Sequence, residues 1–304
     1  MRTLAQFVND GISDVPTLQA ALQTALQLEF STIPPYLCAQ WSIAGSDSDD
    51  DNSANDPSGV ADMIQDIVVQ EMSHFALAGN MLAAIKGTPR VTDAGFVVGY
   101  PTNKLPGDIY QALAVDLQPL STDQLKVFMQ IELPEFPPLE LALQLVPPPT
   151  TIGQFYTTLS AAFMAINPPF DANARQIVYD EATAITNVQD AVAAIAKIKS
   201  EGEGTQTSPD QASGQPAHYY MFREILRGKA ADGSVIQMPK VLPFAPSSAQ
   251  PDPSAAFNAT LRQLLASIQA CWDSGAALSL SGMRQLKRQG TALIKSGIRP
   301  AFQP

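Results

Sequence analysis

The chain has 304 residues, 45% of them apolar and only 15% charged, enough to bury a sizeable core and too apolar for a disordered segment. Its formal net charge of −11 excludes the basic surface that a nucleic acid or an anionic bilayer selects. No run approaches the roughly 20 apolar residues of a bilayer span and the start turns polar too soon for a secretory signal, so a cytoplasmic protein without a membrane or nucleic-acid partner is expected.

Ser13-Asp14-Val15-Pro16 reads as a helix start, with a capping side chain and a proline in the first turn. Leu18, Ala21, Leu22, Ala25, Leu26, Leu28 and Ile33 then trace an apolar face whose one acid is Glu29. Pro34-Pro35 removes two amide donors, so a kink or restart is expected before Tyr36 to Trp41. Gly45 to Gly59 reads as a solvated loop; its acids Asp47, Asp49, Asp50, Asp51 and Asp56 lack the glycine and distal glutamate of a calcium loop and read as wet surface. The stretch from Asp66 to Asn80 reads as a buried helix that ends near Ile85-Lys86-Gly87-Thr88-Pro89. Glu71 and His74 lie three positions apart on it, about 60° around the axis from each other. A carboxylate and an imidazole amid Ile, Val, Met and Phe are costly to bury unless something binds them, and a metal ion is the economical occupant.

Arg90 to Pro106 reads as an irregular crossing. Ser121 caps a helix from Gln124 to Glu132, which Pro134 stops; Glu135, past that proline, is a competing acid. Pro137 to Pro149 reads as a rigid spacer with a short helical piece inside it. Helices are expected from Thr150-Thr151-Ile152-Gly153 through Ile166 and from Val178 to Ser200, the latter running into Glu201-Gly202-Glu203-Gly204. A polar loop over Thr205 to Pro216 leads to a helix with His218 near its beginning. The Pro-rich stretch from Met238 to Pro253 precedes core helices at about Ala255 to Asp273 and Leu280 to Ile298. Cys38 and Cys271 lie in apolar stretches and read as buried free thiols. There is no repeat, phosphate loop or dinucleotide fingerprint.

Glu-x-x-His on a helix is half of the ligand set of ferritin-like di-iron and di-manganese bundles, and this chain has only two histidines, His74 and His218. Further stretches occur in order: Leu28-Glu29-Phe30-Ser31-Thr32-Ile33-Pro34-Pro35-Tyr36-Leu37, Glu71-Met72-Ser73-His74 with Asn80-Met81-Leu82, and Tyr100-Pro101 with Leu105-Pro106-Gly107. Ile131-Glu132-Leu133-Pro134-Glu135, Glu201-Gly202-Glu203-Gly204 and His218-Tyr219-Tyr220-Met221-Phe222 follow. Together they resemble the ferritin-like domain of the iminophenyl-pyruvate dimer synthases, which couple oxidised aromatic amino acids in bisindole pigment pathways. Those synthases are far longer, so this chain looks like a free-standing version of the domain and their substrate does not carry over. The resemblance implies an all-α, ferritin-like four-helix bundle over residues 1–230, with long irregular crossovers. Residues 231–304 are expected to pack on the same domain as a Pro-rich segment and C-terminal helices.

The resemblance also implies a metal site from Glu29, Glu71, His74, Glu132, Glu203 and His218. Four acids and two imidazoles are the ligand count of a di-iron carboxylate bundle. One departure stands out: Glu203 and His218 are separated by a loop instead of lying three apart, so either the loop returns His218 beside Glu203 or the site holds a single ion. Carboxylate and imidazole ligands without thiolate suit iron or manganese. The expected activity is a metal-dependent oxidoreductase acting on a small aromatic or amino-acid-derived molecule in secondary metabolism. Tyr36 and Tyr219, with Phe222, would line the pocket or relay charge. The competing class is a non-redox isomerase or cyclase, or a binding protein, using the bundle cavity. A storage shell fits poorly, because the crossings and C-terminal helices leave little of a compact cage subunit; a homodimer is compatible.

Overall fold

The computed structural model describes residues 2–46, 54–110, 113–137, 149–180, 182–205, 208–211, 213–249 and 252–303. Among them are nine α-helices, no β-strand and a few isolated bridges such as Ile43 with Val241. The helices are α1 (Leu4–Asp10), α2 (Val15–Trp41), α3 (Val60–Ala84), α4 (Thr122–Ile131), α5 (Ile152–Ile166), α6 (Val188–Glu203), α7 (His218–Arg227), α8 (Ala255–Ser274) and α9 (Ser281–Lys295). The all-α architecture expected from the sequence is therefore observed. The long helices α2 and α3 pack side by side, α4 lies on α7, and α5 on α6.

Local chemistry sets the helix starts. Asp14, Ser121, Thr151 and Asn187 each accept a backbone N–H in the first turn of α2, α4, α5 and α6. Asp56 is buried and accepts the N–H groups of Val60 and Ala61 at 2.9 and 2.7 Å, so it caps α3 instead of wetting the surface. The other acids of that run, Asp47 to Asp51, lie outside the described residues, as does the helical piece expected within the Pro137–Pro149 spacer.

Two further expectations are corrected. First, of the kink or restart expected at Pro34-Pro35 there is no restart, because α2 runs through both. Pro35 cannot donate to the Ser31 carbonyl, and the hydroxyl of Tyr100, in the crossing between α3 and α4, donates to that oxygen at 2.6 Å instead. The Ser31 hydroxyl in turn sits 2.7 Å from the Leu28 carbonyl. Second, the helix expected from Val178 begins only at Val188. Residues before it are held out of a helix by side chains that compete for their backbone: Asn80 donates to the Ile177 carbonyl at 2.8 Å and accepts the Ile177 N–H at 2.8 Å, and Gln176 bonds both backbone groups of Ile185.

The C-terminal helices press on α2 and α3 at glycines. A Cβ on Gly79 would stand 2.2 Å from the Trp272 ring of α8, and one on Gly290 of α9 would stand 2.2 Å from the Trp41 ring. Phe257 and Trp272 are core residues, as the sequence suggested, and Phe302 joins them. Cys38 and Cys271 are buried free thiols, and burial pushes both up in pKa.

Tyr100→Phe should lower the unfolding free energy by roughly 1–3 kcal/mol, read as a lower urea midpoint, because it strands a buried carbonyl inside α2. An unchanged midpoint would show that the double-proline turn needs no outside donor.

Candidate metal centre

Glu29, Thr32 and Tyr36 recur at helical spacing on one side of α2, and Glu71 and His74 face them from α3. Glu132 is the residue that closes α4, its N–H bonded to the Phe128 carbonyl, and His218 is the first residue of α7. All five charged groups are buried. His74 Nδ1 lies 3.7 Å from Glu29 Oε2 and 3.6 Å from Glu71 Oε1. His218 Nδ1 lies 3.0 Å from the same Glu71 oxygen and 3.8 Å from Glu132 Oε2. The arrangement is two triads, Glu29–Glu71–His74 and Glu71–Glu132–His218, each with its ligand atoms within 4.8 Å of one another and joined at Glu71. The two imidazole rings lie 5.7 Å apart.

Each imidazole is oriented from behind. The Nε2 of His74 is 2.7 Å from Glu201 Oε2, and the Nε2 of His218 is 2.8 Å from Gln70 Oε1. An Nε2–H that donates there leaves Nδ1 as the nitrogen with a lone pair, aimed at the carboxylates. Consistent with that, His218 Nδ1 is buried and has no hydrogen-bond partner among the described residues, despite the nearby Glu71 oxygen. The carboxylates are oriented the same way. Tyr36 donates to Glu132 Oε1 at 2.6 Å, Tyr156 donates to Glu29 Oε1, and the Thr32 hydroxyl sits 2.6 Å from Glu71 Oε2. An unpartnered buried nitrogen, three buried carboxylates and fixed tautomers fit a pair of hard divalent cations.

Without cations, protons must hold this charge. Burial raises the pKa of Glu29 and Glu132. Burial also opposes ionisation of Glu71, but His218 and His74 outweigh it and hold that carboxyl below its usual range. Burial disfavours the charged imidazoles, yet Glu201, Glu29 and Glu71 carry His74 well above its usual pKa, and Glu132 and Glu71 carry His218 up to about 9.

Of the expected ligands, the structure thus gathers Glu29, Glu71, His74, Glu132 and His218, but Glu203 stands in neither triad. Its carboxylate accepts the Glu135 N–H and lies 3.8 Å from Lys199 Nζ, while facing Glu132 across a small cavity of about 30 Å³. His218 therefore meets Glu71 and Glu132, where the sequence left open whether it would return beside Glu203 or the site would hold a single ion. Gly153 makes room for this carboxylate, since a Cβ there would stand 2.0 Å from Glu203 Oε1. Glu135, the competing acid, pairs with Lys199 at 2.6 Å. Tyr36 is at the site, whereas Tyr219 packs edge-on against Tyr220 at 5.1 Å and joins neither triad. Phe222 packs with Tyr36 and Phe128 as core.

Gln70, Glu201, Thr32 and Tyr156 were not singled out in the sequence. Glu201 and Glu203, two apart on α6, point in directions about 200° apart. The i,i+4 spacing of Lys197 and Glu201 reads as an exposed ion pair, so no sequence signal turned Glu201 inward.

A family model described as Ferritin-like matches residues 22–227. Among solved structures, the crystal structure of a ferritin-like protein from Caulobacter vibrioides is similar at a TM-score of 0.69 and 22% identity, covering 95% of this chain and 98% of that one. That likeness is one of fold. No curated protein matches the chain. Among the described residues, no helix is long and apolar enough to cross a membrane.

The pKa of His218 rises from 6.5 unfolded to about 9 folded, so its stabilising contribution is complete below 6.5 and is lost as pH climbs through 9. Glu203, which burial pushes from 4.5 to about 7, acts in the same sense at lower pH. The melting temperature of metal-free protein should therefore fall as pH is raised across this window, and a divalent cation that replaces the protons should flatten the fall. Differential scanning fluorimetry of both forms checks it; a metal-free profile that rises with pH contradicts the charge assignment.

Proposed function

The chain belongs to the ferritin-like family, and on that premise we propose that it is a non-haem oxidoreductase that holds a pair of iron ions, with manganese as the substitute, and acts on a small aromatic or amino-acid-derived metabolite. The observation that carries the reading is Glu71, one carboxylate set between two imidazole nitrogens that are free to ligate. Glu29, Glu71 and His74 would hold one ion, and Glu71, Glu132 and His218 the other. Iron or manganese there supplies one-electron chemistry that no side chain of the cluster provides.

The chain's own residues do the positioning. Burial and Glu132 keep the Tyr36 phenol protonated, so it stays a donor that fixes the outer oxygen of Glu132. Tyr156 does the same for Glu29, and Thr32 for Glu71. Glu203 and Lys199 border the inner cavity, and both also line an outer hollow of about 490 Å³. Phe136 and Met164 lie in that hollow, 52% and 60% exposed, and give it an apolar wall suited to an aromatic substrate. An inner space of about 30 Å³ holds roughly one water. That favours a metal site reached from the hollow over a non-redox isomerase or binding protein enclosing its ligand at the cluster.

Protein purified without chelators should contain about two iron ions per chain, and adding Fe(II) to stripped protein should consume oxygen. Glu71→Ala should lose both ions. His74→Ala should abolish uptake at its triad with little change in far-UV circular dichroism. If the His74 variant binds metal as well as the parent, the assignment of the site is wrong; stripped protein that takes up no Fe(II) refutes the oxidoreductase reading.

A further inference from the structure

The helices that carry the triads have a second inner face. At about 100° per residue, Phe30, Pro34 and Leu37 lie roughly 130° around α2 from Glu29, Thr32 and Tyr36, and Val69, Met72 and Ala76 lie roughly 160° around α3 from Glu71 and His74. These six residues line a cavity of about 270 Å³ that α8 and α9 close from the far side with Leu264 and Met283. The cavity is therefore separated from the triads by the α2–α3 pair itself, and it shares no lining residue with the space beside them.

Its polar features are few: the Gln65 amide, the Tyr179 hydroxyl and two cations. Arg284 and Lys287, one turn apart on α9, line it. Arg284 is exposed and Lys287 half-buried, beside Leu280, which is 41% exposed; this is the mouth. Neither cation forms an ion pair among the described residues, although the chain carries net charge −11 and acids are abundant. Helix α9 has Arg284, Lys287, Arg288 and Lys295 and no acid. Trp41, another lining residue, buries its indole N–H without an acceptor in the described structure. An apolar chamber with unpaired cations at its entrance suits an anion with a hydrophobic body.

We propose that this cavity binds an amphiphilic monocarboxylate, its apolar body between α2, α3, α8 and α9 and its carboxylate at Arg284 and Lys287. An apolar cavity of about 150 Å³ takes benzene, so about 270 Å³ takes a body of roughly ten carbons. This site stands on its own geometry and not on the reading of the triads.

Decanoate is the probe, with decanol as its uncharged counterpart, titrated calorimetrically into the full chain. Decanoate should bind saturably at one per chain. The double variant Arg284→Ala, Lys287→Ala, at surface positions that do not threaten folding, should weaken decanoate at least tenfold and leave decanol unchanged. Ala76→Phe should exclude both ligands, and iron content should stay at the parental value in every variant. Decanoate that fails to saturate, or that binds the double variant as tightly as the parent, overturns the proposal. So does co-sedimentation with phosphatidylglycerol vesicles without one-to-one decanoate binding, which would make α9 a bilayer-docking helix.

Discussion

Three carboxylates and two imidazoles withdrawn from water around one point are the constraint that the rest of the structure serves. Ionised carboxyls in an apolar interior repel one another and forfeit hydration, and only positive charge at their centre makes the arrangement tolerable. Glu71 concentrates this requirement, because both imidazoles converge on a single one of its oxygens. Protons meet it in the metal-free chain, which is why nearly every group in the cluster has a displaced pKa. Around that centre, the phenols of Tyr36 and Tyr156 and the side chains of Gln70 and Glu201 each spend a hydrogen bond on aiming a ligand.

The α2–α3 pair acts as a partition. One side of each helix is polar and faces the cluster, and the other is lined by Phe30, Leu37, Val69 and Met72 and faces the oily chamber beneath α8 and α9. This explains why both helices read as apolar almost all round, with a single acid or a Glu–His pair as the exception. It also explains the aromatic–glycine contacts: Trp272 against Gly79 and Trp41 against Gly290 let the C-terminal helices approach closely enough to roof that chamber.

Much of this was legible in the chain. Local capping chemistry and helical periodicity located most helix ends, and the scarcity of histidine pointed to His74 and His218, which do meet. What was hidden is what periodicity does not encode. Asp56 looked like one more acid in a wet run because its cap is made across a turn to residues four and five ahead. Val178 to Thr186 had the composition of a helix, but Asn80 of α3 and the neighbouring Gln176 claim backbone groups of Thr183 and Ile185. Glu203 and Glu201 could not be told apart by type, since only the packing of α6 decides which of two diverging carboxylates meets an imidazole.

The bond from Tyr100 to the Ser31 carbonyl joins residues 69 apart in the chain. The central turn of α2 is consequently not self-sufficient: until the crossover has docked, the longest helix of the bundle lacks a donor one residue before Thr32 and two after Glu29. Order in that connecting segment and order in the acidic cluster are thus coupled through one non-local hydrogen bond, which ties an irregular stretch of backbone to the chemistry it never touches.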